Sequence, residues 1–184
     1  MPIETPICDF GQKAIPFELK STDNKILSLN DIKGENGTLI MFICNHCPYV
    51  KAITKELVED CIELKKIGIN TVAICSNDFV NYPDDSFDNM IKFSNERNFN
   101  FPYLHDETQE IAKAYDAVCT PDFFGYNKNL ELQYRGRLRE LKKFIPVKEG
   151  QSDLLTAMKQ IAETGKGPKD QIPSAGCSIK WKHD

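Results

Sequence analysis

Apolar positions along this chain change period several times, and each change marks an element. The stretch FELKSTDNKILSL (17–29) alternates apolar and polar residues on either side of Thr22-Asp23-Asn24, which predicts a β-hairpin. After the turn residues Glu35-Asn36-Gly37, TLIMFI (38–43) is continuously apolar, the pattern of a central strand buried on both faces of a parallel sheet. The period then becomes helical. Val50, Ile53, Leu57, Cys61 and Leu64 recur every three or four residues, with Lys51, Lys55, Glu56, Glu59 and Glu63 facing away, and Gly68 marks the stop.

A second apolar strand, TVAIC (71–75), leads into Tyr82-Pro83-Asp84-Asp85-Ser86, which offers cap residues for a helix carrying Phe87, Met90 and Ile91. FNFPYL (99–104) predicts a third strand. Asp106 and Gln109 have capping-box spacing ahead of a short helix with Ile111, Ala114 and Tyr115. DFFGYN (122–127) and LELQYR (130–135) predict a second hairpin, and a last helix spans 152–164 with Leu154, Leu155, Met158, Ile161 and Ala162 on one face. Strands alternating with helices imply right-handed crossovers and a central mixed sheet covered on both faces, an α/β fold. Residues 165–184 lack periodicity and are expected to form an extended tail of a single domain spanning 1–184.

Composition narrows the class. With 41% hydrophobic and 27% charged residues the chain is an ordinary globular one, and a net charge of −4 gives no field to attract nucleic acid or an anionic membrane. The one basic cluster, Arg135, Arg137, Arg139, Lys142 and Lys143, reads as a solvated loop with helix-end charges. The N-terminus has no basic region followed by an apolar one, and no segment reaches the roughly 18 apolar residues of a membrane helix. A cytoplasmic location is therefore expected, where thiols stay reduced. Of the seven cysteines only Cys44 and Cys47 are close in sequence, which is not a disulfide framework.

That pair, in MFICNHCPYV (41–50), carries the candidate chemistry. It falls between the end of a strand and the start of a helix, where unpaired N–H groups and the helix dipole favour an anion. Cys44 is expected to have a lowered pKa and Cys47, further into the helix, to be the less exposed resolving thiol. Pro48 suits the first helical turn, and a protonated His46 would add a second charge stabilising the thiolate. A zinc site needs four ligands, and no second CxxC or close Cys/His set accompanies this one, so no metal is expected. Packed core thiols account for Cys61 and Cys75, on apolar faces, better than for this pair.

The segments FICNHCPYVKAI (42–53), SNDFVNYPDDSFDNM (76–90), FPYLHDETQEIAKAY (101–115), VCTPDFFGYN (118–127), YRGRL (134–138) and AGCSIKWK (175–182) resemble the thioredoxin-like superfamily. Within it they are similar to the alkyl hydroperoxide reductase/thiol-specific antioxidant group, in a peroxiredoxin-like branch. The resemblance implies a thioredoxin-like sheet with an N-terminal hairpin, Cys44 as attacking thiolate and Cys47 as resolving thiol. It also implies a cis-proline loop at Thr120-Pro121 whose backbone pairs with an extended substrate. Cys119, beside that loop, reads as a packed strand-end thiol, with a third redox thiol as the alternative. Where thioredoxins carry a buried acid and a tryptophan this chain has Thr38 and Ile43, and where peroxiredoxins carry Pro and Thr it has Ile40 and Cys44. Residues 118–127 contain no arginine, which argues against fast peroxide reduction.

The expected activity is thiol–disulfide exchange through Cys44 and Cys47, tuned by His46 and needing no cofactor. Protein or small-molecule disulfides would be the substrates and a reducing thiol system the partner. Peroxide reduction and a non-enzymatic redox-sensing module are the alternatives. Cys177 has two readings. Ile179 and Trp181 anchor an extended tail with Cys177 as passenger, or the tail crosses the CNHC site and Cys177 is an auxiliary thiol.

Overall fold

The computed structural model describes residues 1–183. Its strands are β1 (Ile3–Glu4), β2 (Glu18–Ser21), β3 (Ile26–Ser28), β4 (Gly37–Phe42), β5 (Ile69–Cys75), β6 (Tyr103–His105), β7 (Cys119–Thr120), β8 (Asp122–Asn127), β9 (Leu132–Tyr134), β10 (Leu141–Lys142), β11 (Ile145–Pro146) and β12 (Ala175–Ser178). Its helices are α1 (Leu29–Ile32), α2 (Pro48–Lys51), α3 (Thr54–Lys66), α4 (Phe87–Glu96), α5 (Glu110–Ala114) and α6 (Asp153–Thr164). The central sheet has the order β3-β2-β6-β5-β4-β8-β9, with β4 parallel to β5 and antiparallel to β8. The expected α/β mixed sheet, both hairpins and the last helix are all present.

Strand β4 shows why the sheet is central. All six of its residues are buried, and successive side chains feed opposite layers. Leu39 and Met41, with Ile43 just beyond, pack with Leu57 and Leu64 of α3 and Met158 and Ile161 of α6. Ile40 and Phe42 pack with Val72, Ile74, Tyr115 and Phe124 on the other face. Ser152 caps α6 by accepting the Leu155 N–H at 3.1 Å, and Gly165 ends it at φ +76°, a conformation that suits glycine.

Several expectations need correction. The helix after the cysteines is broken into α2 and α3 at Ala52-Ile53. The third strand begins only at Tyr103, because Pro102 has no N–H to donate to a ladder and Phe99 stacks instead against Phe93, Phe101 and Tyr103. Asp106 and Gln109 do not form a capping box. Asp106 accepts the Ile111 and Ala112 N–H groups, while Gln109 starts α5 and donates to the carbonyls of Ser76 and Lys180.

The basic cluster is not a solvated loop. Arg135 is buried against Asp122, Arg139 is buried against Glu56, and Arg137 pairs with Asp153. Lys142 and Lys143 alone are exposed. Sequence proximity grouped five charges that the fold sends to different partners.

Candidate active site

The strand β4 delivers Cys44 two residues after its end, and the chain turns at Asn45-His46 so that Cys47 becomes the N-cap of α2. Pro48 occupies the first helical position, as expected. Across from them the Thr120–Pro121 peptide is cis. Thr120 lies against both sulfurs. Its Oγ1 is 3.4 Å from Cys44 Sγ, and its carbonyl oxygen is 3.3 Å from Cys47 Sγ. The fold therefore brings Cys44, Cys47, Thr120 and Pro121 together.

It also brings Cys177. Strand β12 runs antiparallel to β7 with Cys177 opposite Thr120, and Cys177 packs on the cluster containing Cys44 and Cys47. Cys177 and Cys47 shift each other's acidity, Cys177 upward and Cys47 downward. Cys119 points elsewhere, its thiol reaching the Pro121 carbonyl at 3.5 Å, and burial raises its pKa.

The two thiols shift each other's acidity in opposite directions. Cys44 is pushed well up, first because it donates its proton to Cys47, then by burial and by the neighbouring Asp85 carboxylate. Cys47 is lowered to about 4 by the hydrogen bond from Cys44, against the cost of burial, with further help from Cys177, Thr120 and the Val50 amide. The Thr120 carbonyl beside Cys47 favours the thiol form, but these donors outweigh one opposed dipole. The sequence placed Cys44 at the helix start, whereas the helix begins at Pro48 with Cys47 as its N-cap, and the Val50 and Lys51 N–H groups are taken by the Cys47 carbonyl. Nor is one thiol more exposed, since Cys44 is 1% and Cys47 0% accessible.

Asp85 is the residue that sequence reasoning missed, having been read only as part of a helix cap. It is fully buried and accepts from the Asn45 N–H at 2.8 Å and from Asn77 Nδ2 at 2.9 Å. His46 Nδ1 lies 2.7 Å from its Oδ2, off the line of a well-aligned ring N–H bond, so the contact acts mainly as an ion pair. Asn45 is held as well, accepting from the Tyr103 hydroxyl at 2.8 Å and donating to the Asp84 carbonyl at 3.0 Å. No feature of residues 76–90 ties position 85 to position 46; only the fold does.

Donor atoms of Cys44, His46 and Asp85 lie within 4.8 Å of one another, close enough to ligate a cation. Three protein ligands fall short of a closed structural zinc site. Both Asp85 oxygens already accept amide donors.

Asp85 raises the His46 pKa above its usual 6.5, a shift burial only partly opposes. The stabilisation from this pair is complete below pH 6.5 and is lost as pH rises through the folded value. Asp85→Asn is therefore expected to move His46 titration to lower pH, followed by its imidazole NMR signals, and to flatten stability against pH in that window. An unchanged His46 titration would remove Asp85 from this role.

Solved structures resemble the whole chain. An uncharacterized conserved protein from Geobacillus kaustophilus is 42% identical over 100% of this chain and 98% of its own, with a TM-score of 0.93. A hypothetical protein from Sinorhizobium meliloti 1021 is 30% identical over 100% of both chains, with a TM-score of 0.90. The thioredoxin domain of a thiol-disulfide oxidoreductase from Bacteroides vulgatus is 17% identical over 68% of this chain and 86% of its own, and its TM-score of 0.58 shows a shared fold. No curated protein matches the chain. The AhpC/TSA family model matches residues 10–140, which hold the CNHC segment and the Thr120-Pro121 loop, and the chain belongs to the AhpC/TSA family with a thioredoxin-like fold.

Proposed function

We propose that the protein is a thiol–disulfide oxidoreductase working through a Cys44–Cys47 dithiol/disulfide couple. The observation that carries this reading is the meeting of the two sulfurs around Thr120, with Cys47 the more acidic of the two. The Cys47 thiolate attacks one sulfur of a substrate disulfide, a mixed disulfide forms, and the first substrate thiolate leaves. Cys44 then attacks Cys47 Sγ, forming the Cys44–Cys47 bond and expelling the second substrate thiolate, which takes the Cys44 proton. The protein loses two electrons and the substrate gains them. The roles are the reverse of those expected from sequence order.

His46 acts on this couple through Asp85. When protonated it offsets the Asp85 carboxylate, whose charge adds to the contact with Cys47 and to burial in raising Cys44. Substrates are protein or small-molecule disulfides, and a reducing thiol system returns the protein to the dithiol. Peroxide reduction fits less well, because Arg135 and Arg139 are each committed to a buried or partly buried carboxylate.

Equilibration in glutathione redox buffers, with acid quenching, tests the reading. A single Cys44–Cys47 disulfide, and glutathione disulfide consumed by the reduced protein, are expected. Rapid, saturable consumption of hydrogen peroxide without disulfide exchange would replace this reading by a peroxidase. Neither activity, together with a partner that binds one redox form only, would leave a redox-sensing module.

A further inference from the structure

The edge of β7 is where the thioredoxin-like resemblance puts an extended substrate, yet here the chain's own tail lies along it. Cys177 is opposite Thr120 and Ser178 is opposite Cys119 in antiparallel register. Ser174 Oγ donates to the Pro121 carbonyl at 2.8 Å. Gly176 passes so close that a Cβ there would stand 2.0 Å from the Thr120 oxygen. Further along, the Ile179 N–H reaches the Val118 carbonyl at 3.3 Å and the Lys180 N–H reaches Asn77 Oδ1 at 3.0 Å. The tail is thus fixed over the site, and of the three sulfurs it gathers only Cys177 keeps appreciable solvent access.

We infer that β12 is a built-in substrate strand, and that Cys177 accepts the disulfide from Cys44–Cys47 to form Cys47–Cys177. This rests on the exchange chemistry proposed above. The Cys177 thiolate attacks Cys47 Sγ, the Cys44–Cys47 bond breaks, and Cys44 leaves with its electron pair and takes up the proton that Cys177 gave away. One disulfide replaces another, so no oxidant is consumed. The new bond places the oxidised form at the accessible sulfur. An external thiolate then attacks Cys177 Sγ and expels Cys47; a second external thiol releases Cys177 and yields the reductant's disulfide.

Charge favours this sequence. In the reduced protein burial and then the Cys47 anion hold the Cys177 proton, raising its pKa to about 11, while Lys180 pulls the other way. Forming Cys44–Cys47 removes that anion, so Cys177 becomes more acidic when a disulfide is available to attack. Expulsion of Cys47 in the last step is assisted because it is the most acidic thiol of the three.

Disulfide mapping tests this with the intact chain. In a tryptic digest Cys44 and Cys47 share the peptide 34–51 and Cys177 lies in 170–180, so a bond to Cys177 joins two peptides. Partial oxidation of the unmodified protein by glutathione disulfide is expected to yield both the looped 34–51 peptide and the joined pair. Cys44→Ser, oxidised in the same way, is expected to lose two thiols per chain within one monomer. Gly176→Ala, which lifts the strand without touching a sulfur, is expected to cut the joined pair about tenfold and to speed Cys47 alkylation. A looped peptide with no joined pair, and Cys177 still free in Cys44→Ser, overturns the inference while leaving the proposed exchange intact. Absence of the looped peptide itself would instead sink the exchange reading.

Discussion

Cys47→Ser should lower disulfide exchange by at least about a thousandfold, the scale of loss when a nucleophile is removed. Cys44→Ser should behave differently, completing the first attack at Cys47; the mixed disulfide should accumulate when Cys177 is replaced as well, in Cys44→Ser/Cys177→Ser. The contrast follows from which sulfur carries the charge. Cys44 lowers the Cys47 pKa, whereas the same contact, burial and the Asp85 carboxylate raise that of Cys44. A thermodynamic signature should accompany the kinetic one. A thiol depressed from 9.0 to about 4 contributes stability that is fully present above pH 9 and lost as pH falls through 4. The reduced protein should therefore gain stability as pH rises across that window, and Cys47→Ser should remove most of the gain. Thermal melts of reduced protein at several pH values measure it, and thiolate absorbance locates the titration directly. A Cys47 ionising like a free thiol would end this assignment.

Arg135→Ala should be the most damaging change away from the sulfurs, with an expected loss of about 3–5 kcal/mol of stability. Its guanidinium donates to both Asp122 oxygens, at 3.2 and 2.9 Å, and to the Asp116 carbonyl at 2.8 Å, and it lies 4.4 Å from the Phe124 ring centre. Asp122 is fully buried, and truncation leaves it there without a counter-ion. Burial already raises its pKa, so the orphaned carboxyl should take up a proton and part of the loss should be recovered as pH falls. Urea unfolding at pH 7 and pH 5 gives both numbers. Because Asp122 also accepts the Val118 N–H at 3.0 Å, it pins the 118–122 segment that carries Thr120, and exchange should slow even in molecules that remain folded. A stability loss below about 1 kcal/mol, typical of an exposed pair, would contradict this account.

Periodicity carried most of the architecture. The uninterrupted apolar run of β4 and the three-four spacing of α3 each answer to a burial pattern that few alternative folds share. The CNHC pair was legible for the same local reason, because both cysteines lie within one strand-to-helix junction. What the sequence could not display was pairing across distance. Asp85 reaches His46 from a segment about forty positions away, and Arg135 finds Asp122 only when β8 and β9 fold together. The opposed acidity of the two thiols depends first on their own contact and then on burial, neither of which is written locally, and the helix starts four residues after Cys44. The tail was readable as extended but not as lying over the reactive sulfurs, since its hydrogen bonds go to residues 77, 109, 118 and 121.

Strand β1 pairs with β12 and with no strand of the seven-stranded sheet. The first residues therefore rest on the last ones, and Thr5 is joined to Ser174 by a main-chain bond of 3.0 Å. Protease trimming at either extremity should consequently loosen the opposite one, and an affinity tag fused to the amino end would sit directly above the sulfur chemistry. Activity assays on tagged preparations are best paired with cleaved ones.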